Sequence, residues 1–203
     1  MLARLVSLFQ EKVENRYYGK YRAVVTSNED PEMRGRLKVN VPSLLGETEI
    51  GWAMPCLPYG GGSDAGYYMI PEPGDGVWVE FEAGRLSYPI WSGTWWAQDE
   101  APKGAEDDDP APARKLIKTR SGHLIQLDDS EGSESITVID KDGNKVKMDA
   151  TAIEINADTR DVSVSGNNVT VEATTQLDLK GATINIEGSG TVTISGATVD
   201  LNP

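Results

Sequence analysis

His123 is the only histidine in the sequence and Cys56 the only cysteine. These are the two side chains best suited to acid–base or nucleophilic chemistry near neutral pH. A catalytic base needs a nucleophile and an orienting group within reach. Ser121 and Asp128 stand near His123, but on alternating strand positions Ser121 and His123 merely share a face. The pattern reads as a hydrogen-bonding residue in a hairpin. Cys56 stands beside prolines in an apolar strand region, which predicts a buried, inert thiol. The acidic run Glu106–Asp109 lacks the interleaved spacing and turn glycine of a calcium loop. Gly60–Gly62 lie in a strand-connecting loop without a phosphate-binding pattern, and no CxxC, HExxH, P-loop or GxSxG sequence occurs. With 32 carboxylates, close acidic pairs arise by chance. No constellation demands an enzyme, and none calls for a cofactor or a metal.

The rest of the chain is organised around a ladder from Val146 to Leu201. Its apolar pairs are Val146/Met148, Ile153/Ile155, Val162/Val164, Val169/Val171, Leu177/Leu179, Ile184/Ile186, Val192/Ile194 and Val199/Leu201. Each pair is an apolar–polar–apolar triplet, the mark of a short strand with one buried face. From Val162 the steps alternate 7, 8, 7, 8, 7, and Gly166, Gly181 and Gly196 recur 15 apart. A glycine at that fixed phase predicts a turn with positive φ or a close backbone approach. Two apolar side chains per strand bury little area at ~25 cal/mol per Å², against ~1–2 kcal/mol of ordering per residue. Single-chain solenoids usually need rungs of roughly 20 residues or more. The short steps therefore predict three intertwined copies around a shared axis built from Val162, Val164, Val169, Val171, Leu177, Leu179, Ile184, Ile186, Val192 and Ile194. At ~4.8 Å per stacked strand, about nine strands make a needle roughly 40 Å long.

The 203 residues have room for one or two domains, and the 38% hydrophobic content is low, as a half-polar fibre requires. A net charge of −13 repels phosphates and argues against nucleic-acid binding. A lone cysteine excludes a disulfide framework. The start has no secretory-signal pattern and no run reaches the ~20 apolar residues of a membrane span, so synthesis in a cytoplasm is expected.

In chain order, Leu2 to about Tyr18 reads as an amphipathic helix, within an N-terminal segment 1–19. Leu2, Leu5, Val6, Phe9 and Val13 form its apolar stripe, opposite Arg4, Gln10, Glu11, Lys12 and Glu14, and Gly19 is a stop. The stripe packs on its own domain or docks on a hub or neighbouring copy. Residues 20–96 alternate β-rich runs with Gly/Pro turns: Tyr21–Thr26, Arg36–Val41, Gly51–Met54, Tyr67–Ile70, Val77–Glu82 and Pro89–Thr94. With four of five tryptophans between Trp78 and Trp96, they predict a compact OB-like barrel. Tyr67, Tyr68, Trp78, Trp91, Trp95 and Trp96 could form a stacking platform for single strands. Arg34, Arg36 and Lys38 are hemmed in by Glu29, Asp30, Glu32, Glu47 and Glu49, so the aromatics read as barrel core or protein interface. Residues 97–115 read as an acidic Ala/Pro linker, a solvated spacer. Hairpin turns at Ser121–Gly122, Glu131–Gly132 and Asp142–Gly143 lead from a neck at 116 into the ladder, which runs to residue 203.

The segments YYGKYRAVV (Tyr17–Val25), NEDPEMRGRLKVNVPSLLG (Asn28–Gly46), GWAMPCLPYGG (Gly51–Gly61), IPEPGDGVWVEFE (Ile70–Glu82) and PIWSGTWW (Pro89–Trp96) resemble the N-terminal barrel of phage baseplate assembly protein V and of VgrG-like spikes. KTRSGHLIQLDDSEGSESITVIDKDGNKVKMD (Lys118–Asp149) resembles the neck and first repeats of such spikes. The resemblance implies an all-β homotrimer: an N-terminal helix, three OB barrels and an intertwined triple-stranded β-helix. It would sit at the centre of a contractile baseplate, its barrels on a trimeric hub and its needle aimed at the target envelope. The sequence departs from the family twice. A lysozyme domain found in some spikes is replaced by the linker. The iron-binding His-x-His point of some small spikes has no counterpart, because no histidine follows His123. A PAAR-type tip protein is therefore expected on Val199, Leu201, Asn202 and Pro203. A trimeric tail fibre or receptor-binding β-fibre is the alternative. It would usually need a receptor-binding head after the shaft.

Overall fold

The computed structural model describes residues 2–10 and 16–200. Val13, Leu201, Asn202 and Pro203, assigned above to docking and tip contacts, lie outside the described residues. The chain divides into two units, residues 1–156 and 157–203.

The first unit begins with helix α1 (Leu2–Phe9). The helix is shorter than the periodicity predicts, since residues 16–18 are not helical. Packing decides this. The Tyr17 backbone N–H donates to the Gly84 carbonyl at 2.9 Å. The Tyr17 ring lies 5.9 Å from that of Phe81. Barrel contacts thus claim residues that could otherwise extend the helix. None of the described helices is long and apolar enough to cross a membrane.

The barrel has strands β1 (Tyr21–Ser27), β2 (Leu37–Asn40), β3 (Glu49–Pro55), β4 (Gly76–Phe81) and β5 (Pro89–Thr94). A one-turn helix α2 (Pro42–Leu45) joins β2 to β3. The strands close in the order β1-β2-β3-β5-β4, with β3 and β5 parallel and the other pairs antiparallel. This is an OB-like closed barrel. Alternate residues fill it, among them Ala23, Val25, Leu37, Val39, Ala53, Val77, Val79, Phe81 and Trp91. The buried Trp91 indole N–H donates to the Gly35 carbonyl at 3.0 Å, which satisfies its one polar group.

Two expectations for this region fail. Tyr67–Ile70 is not a strand. The barrel closes without it, and the segment belongs to a loop held by the Tyr67 N–H donating to the Tyr59 carbonyl at 3.0 Å. Cys56 is exposed rather than buried. It lies just past the end of β3 on the outward phase of the strand, the phase of exposed Met54 and opposite to that of buried Ala53.

The second sheet runs β6 (Arg114–Lys118), β7 (Leu124–Asp128), β8 (Ser135–Ile139), β9 (Lys145–Asp149) and β10 (Ile153–Asn156). It is an antiparallel meander in sequence order. The three anticipated hairpin turns are present, with positive φ at Gly122, Gly132 and Gly143. The first two ladder pairs, Val146/Met148 and Ile153/Ile155, lie in this sheet and pair within one chain.

Residues 157–200 pair into no strand within the chain. Their backbone bends at Asn167, Thr174–Thr175, Ala182, Ser189–Gly190 and Ala197, in step with the sequence repeat. Gly166, Gly181 and Gly196 do not have positive φ. A Cβ on each would stand 3.5, 3.2 and 3.2 Å from the carbonyl oxygen two residues on. Close backbone approach, rather than handedness, fits Gly181 and Gly196, whereas at Gly166 the contact would be an ordinary one.

Candidate assembly interface

In β6–β10 the register sorts side chains into two faces. One row holds Ile117, Ile125, Val138, Val146 and Ile155, and the next holds Lys115, Leu127, Ile136, Met148 and Ile153. Nine of these ten are apolar, and the nine are 36–73% exposed. Lys115 pairs with Asp129.

The opposite face is mostly polar, with Leu116, Ile139 and the buried Leu124 among its residues, yet covered. Gln126, Asp128 and Thr137 are buried there. The cover is the segment expected to be a free spacer. The Ala105 N–H donates to Gln126 Oε1 at 2.9 Å, and Lys118 Nζ donates to the Lys103 carbonyl at 3.0 Å. Gly104 is buried, and a Cβ there would stand 2.7 Å from Gln126 Oε1. The acidic run does not simply repel itself. Asp107 pairs with Lys103 at 3.3 Å, Asp108 with Arg114 at 3.6 Å and Glu106 with Lys145 at 3.9 Å. Arg114 Nε also reaches Asp128 at 2.9 Å. The Ser130 hydroxyl and backbone N–H, followed by Arg114, hold the Asp128 carboxyl down to about 2. The linker is a strap over the polar face, and β6 begins inside its expected range.

The second unit is bare in the same chemical sense. From Val162 to Val199, eleven apolar side chains are 48–76% exposed, including every residue assigned to the axis. Monomeric soluble proteins rarely carry contiguous apolar surface on this scale.

The sequence reading began the ladder at Val146 and assigned no face to Ile117, Ile125, Leu127, Ile136 and Val138. The signal was available in the alternation of LIQLD and SITVI. The turn residues mark the hairpins, and the apolar side of those hairpins is the face the register exposes.

The residues that could have carried chemistry are accounted for. His123 Nδ1 accepts from the Lys141 backbone N–H at 3.2 Å, tying two neighbouring turns together. Among the described residues, no group of three His, Cys, Asp or Glu side chains could hold a metal. The basic trio on the barrel is neutralised locally. Arg36 meets Asp30 at 2.6 Å, Arg34 meets Glu32 at 3.1 Å and Lys38 meets Glu49 at 3.0 Å. Arg36 and Lys38 also lie over Trp52. Trp91 is in the core, Trp95 donates to the Val77 carbonyl, and Arg22 stacks between Trp78 and Trp95. Tyr67, Tyr68 and Trp96 remain exposed.

Two family models match the chain. The Type VI secretion system/phage-baseplate injector OB domain covers residues 21–96. The phage baseplate V C-terminal trimerisation domain covers residues 115–178, which takes in the bare sheet face and the first part of the ladder. No individually curated protein matches the sequence. An OB-like barrel followed by a trimerisation segment with an uncovered apolar face agrees with both matches, and the chain belongs to the family of baseplate protein V/VgrG-like spikes.

Proposed function

We propose that three copies form the central spike of a contractile tail or contractile injection system, and that the role is mechanical rather than enzymatic. What carries this is the apolar surface left bare from Ile117 to Val199, whose part within residues 115–178 is matched by a trimerisation domain. In the trimer, the sheet faces pack against their copies. The ladder winds into a triple-stranded β-helix with Val162, Val164, Val169, Val171, Leu177, Leu179, Ile184, Ile186, Val192 and Ile194 on the axis. The domains are then the N-terminal helix (1–19), the barrel (20–96), the strap (97–115) and the neck with needle (116–203).

Chains intertwined around a shared axis can separate only together, so the needle resists load through a high unfolding barrier. That suits a part driven first into a target envelope when a sheath contracts. The barrels face a trimeric hub. Val199, Leu201, Asn202 and Pro203 receive a PAAR-type tip. The chain is made in the bacterial cytoplasm and works in the virion baseplate or an extracellular particle. The experiment is the solution mass by light scattering, with electron microscopy of the same sample. Three chains with a lobed head and thin needle support the spike. A monomer overturns the intertwined needle.

A further inference from the structure

Helix α1 has the sequence LARLVSLF, and its Leu2, Leu5, Val6 and Phe9 are 50–77% exposed. An isolated helix this short is marginal in water, and most helical stability comes from packing an apolar face. Its one charge is Arg4. The chain's own barrel does not cover it.

On the barrel, the long loop between β3 and β4 walls a groove of about 900 Å³, lined in part by Met33, Met54, Leu57, Tyr59, Tyr67 and Tyr68. From Ala53 to Pro71 there is one charged residue, Asp64. The lining also includes Asp64 and Arg34, the latter paired with Glu32. Tyrosine and methionine with few charges is the composition of a protein interface core, and methionine adapts to the surface it meets. The loop is preformed. A Cβ at Gly66 would lie 3.2 Å from the Gly60 Cα and 3.3 Å from the Tyr59 carbonyl. Its far end is gripped by Arg120, 2.7 Å from Glu72 and 2.6 Å from Asp75. Arg120 stands in the β6–β7 turn, inside the span matched by the trimerisation domain. The loop that walls the groove is therefore tied, at its far end, to the segment matched by the trimerisation domain.

We infer that α1 of one copy docks in the β3–β4 loop groove of a neighbouring copy, with Leu2, Leu5, Val6 and Phe9 as anchors and Arg4 meeting Asp64. This is helix-in-groove recognition with anchors at i, i+3, i+4 and i+7. The inference rests on the homotrimer reading. Three such arms close a ring, each barrel giving one helix and receiving one.

Cys56 is exposed and lines the groove, so the test needs one new thiol. Leu5→Cys is treated with a short bismaleimide and run on a denaturing gel, with light scattering of the untreated sample alongside. Linked species up to three chains are expected, absent from the wild type and from Leu5→Cys/Cys56→Ser. Phe9→Cys is expected to give the same pattern. A monomer-sized band with both thiols consumed overturns the inference, because the arm then folds onto its own barrel. Linkage that persists with Cys56→Ser overturns it in favour of arms meeting each other. No linkage in a sample that still scatters as three chains overturns the swap and leaves the homotrimer standing. A scattering mass of one chain removes the homotrimer and the swap together.

Discussion

Val138 lies on β8, the middle strand of the second sheet, between Ile125 and Val146 in register, and is 42% exposed in the single chain. In one chain, Val138→Asp keeps its charge hydrated and the sheet folds. In a trimer that covers this face, three carboxylates enter an apolar contact. Lys115, the one cation in these rows, is already paired with Asp129. A desolvated, unpaired charge costs several kcal/mol, so three cost on the order of 10 kcal/mol. Covering nine half-exposed apolar side chains yields on the order of 1 kcal/mol each, from which association entropy must be subtracted. A loss on the order of 10 kcal/mol shifts the trimer dissociation constant by about seven decades. Sedimentation and light scattering across a concentration series measure that shift, and circular dichroism checks that each chain stays folded. Val138→Ala removes only apolar contact and should cost about 1 kcal/mol per chain. The pH dependence follows from the raised carboxyl pKa of the assembled state. The penalty is full above that pKa, shrinks as pH falls through it, and vanishes below the free-chain value of about 3.9. A Val138→Asp trimer as tight as wild type at pH 7 would show that this face stays wet, and the interface assignment would be wrong.

Three further outcomes test other parts of the chain. Gly76→Ala places a Cβ 2.5–2.9 Å from the Trp95 ring, which is pinned by its bond to the Val77 carbonyl and by Arg22. The barrel should lose about 1–3 kcal/mol, read from denaturant unfolding by tryptophan fluorescence, and an unchanged midpoint would mean that the ring yields freely. Asp30 accepts from Arg36 and from the backbone N–H groups of Glu32, Arg34 and Arg36. The Arg36 side-chain bond, above all, holds the Asp30 carboxyl well below the usual range. Its contribution is present above about pH 3.9 and is lost as pH falls through the depressed value. Barrel melting should fall with acid more steeply in wild type than in Asp30→Asn; equal acid slopes contradict this role. Ile186→Asp puts three charges on the proposed axis and should abolish assembly by light scattering, whereas a stable trimer contradicts the register.

The barrel was legible because one buried face per strand writes itself as alternation and its turns as Gly and Pro. Five of the six anticipated runs became strands. Tyr67–Ile70 failed because β-propensity at Tyr67 and Tyr68 serves an exposed loop as readily as a sheet. Cys56 failed because apolar neighbours do not say which way one residue points, and its phase, shared with Met54, faces outward. The helix was overestimated because the 3.6-residue pattern continues through residues that Phe81 and Gly84 draw into the barrel. The strap was hidden because a local reading of EDDDP sees only like charges. Its partners Arg114 and Lys145 become neighbours only after the sheet forms. The ladder was the clearest feature, and for the same reason the preceding alternation at Ile125, Leu127, Ile136 and Val138 was passed over.

The arrangement of the strap bears on why the chain assembles. A sheet with one apolar and one polar face normally turns the apolar face to its own core. Here the chain covers the polar side instead. Gln126, Asp128 and Thr137 need partners when buried, and the strap brings the Ala105 N–H while Arg114 anchors Asp128 beneath it. An apolar strap on the other side would close the molecule as a monomer. A polar strap leaves nine apolar side chains that the described residues of the chain do not cover, followed in sequence by eleven more. Identical copies supply a complementary surface without a second gene product, and cyclic symmetry lets every copy use the same face. In the proposed trimer, assembly adds burial to a sheet already paired within one chain and supplies the core that the ladder lacks, so the stability of residues 157–200 depends on protomer concentration. The barrel, which buries Trp91 and its neighbours within one chain, does not share that dependence.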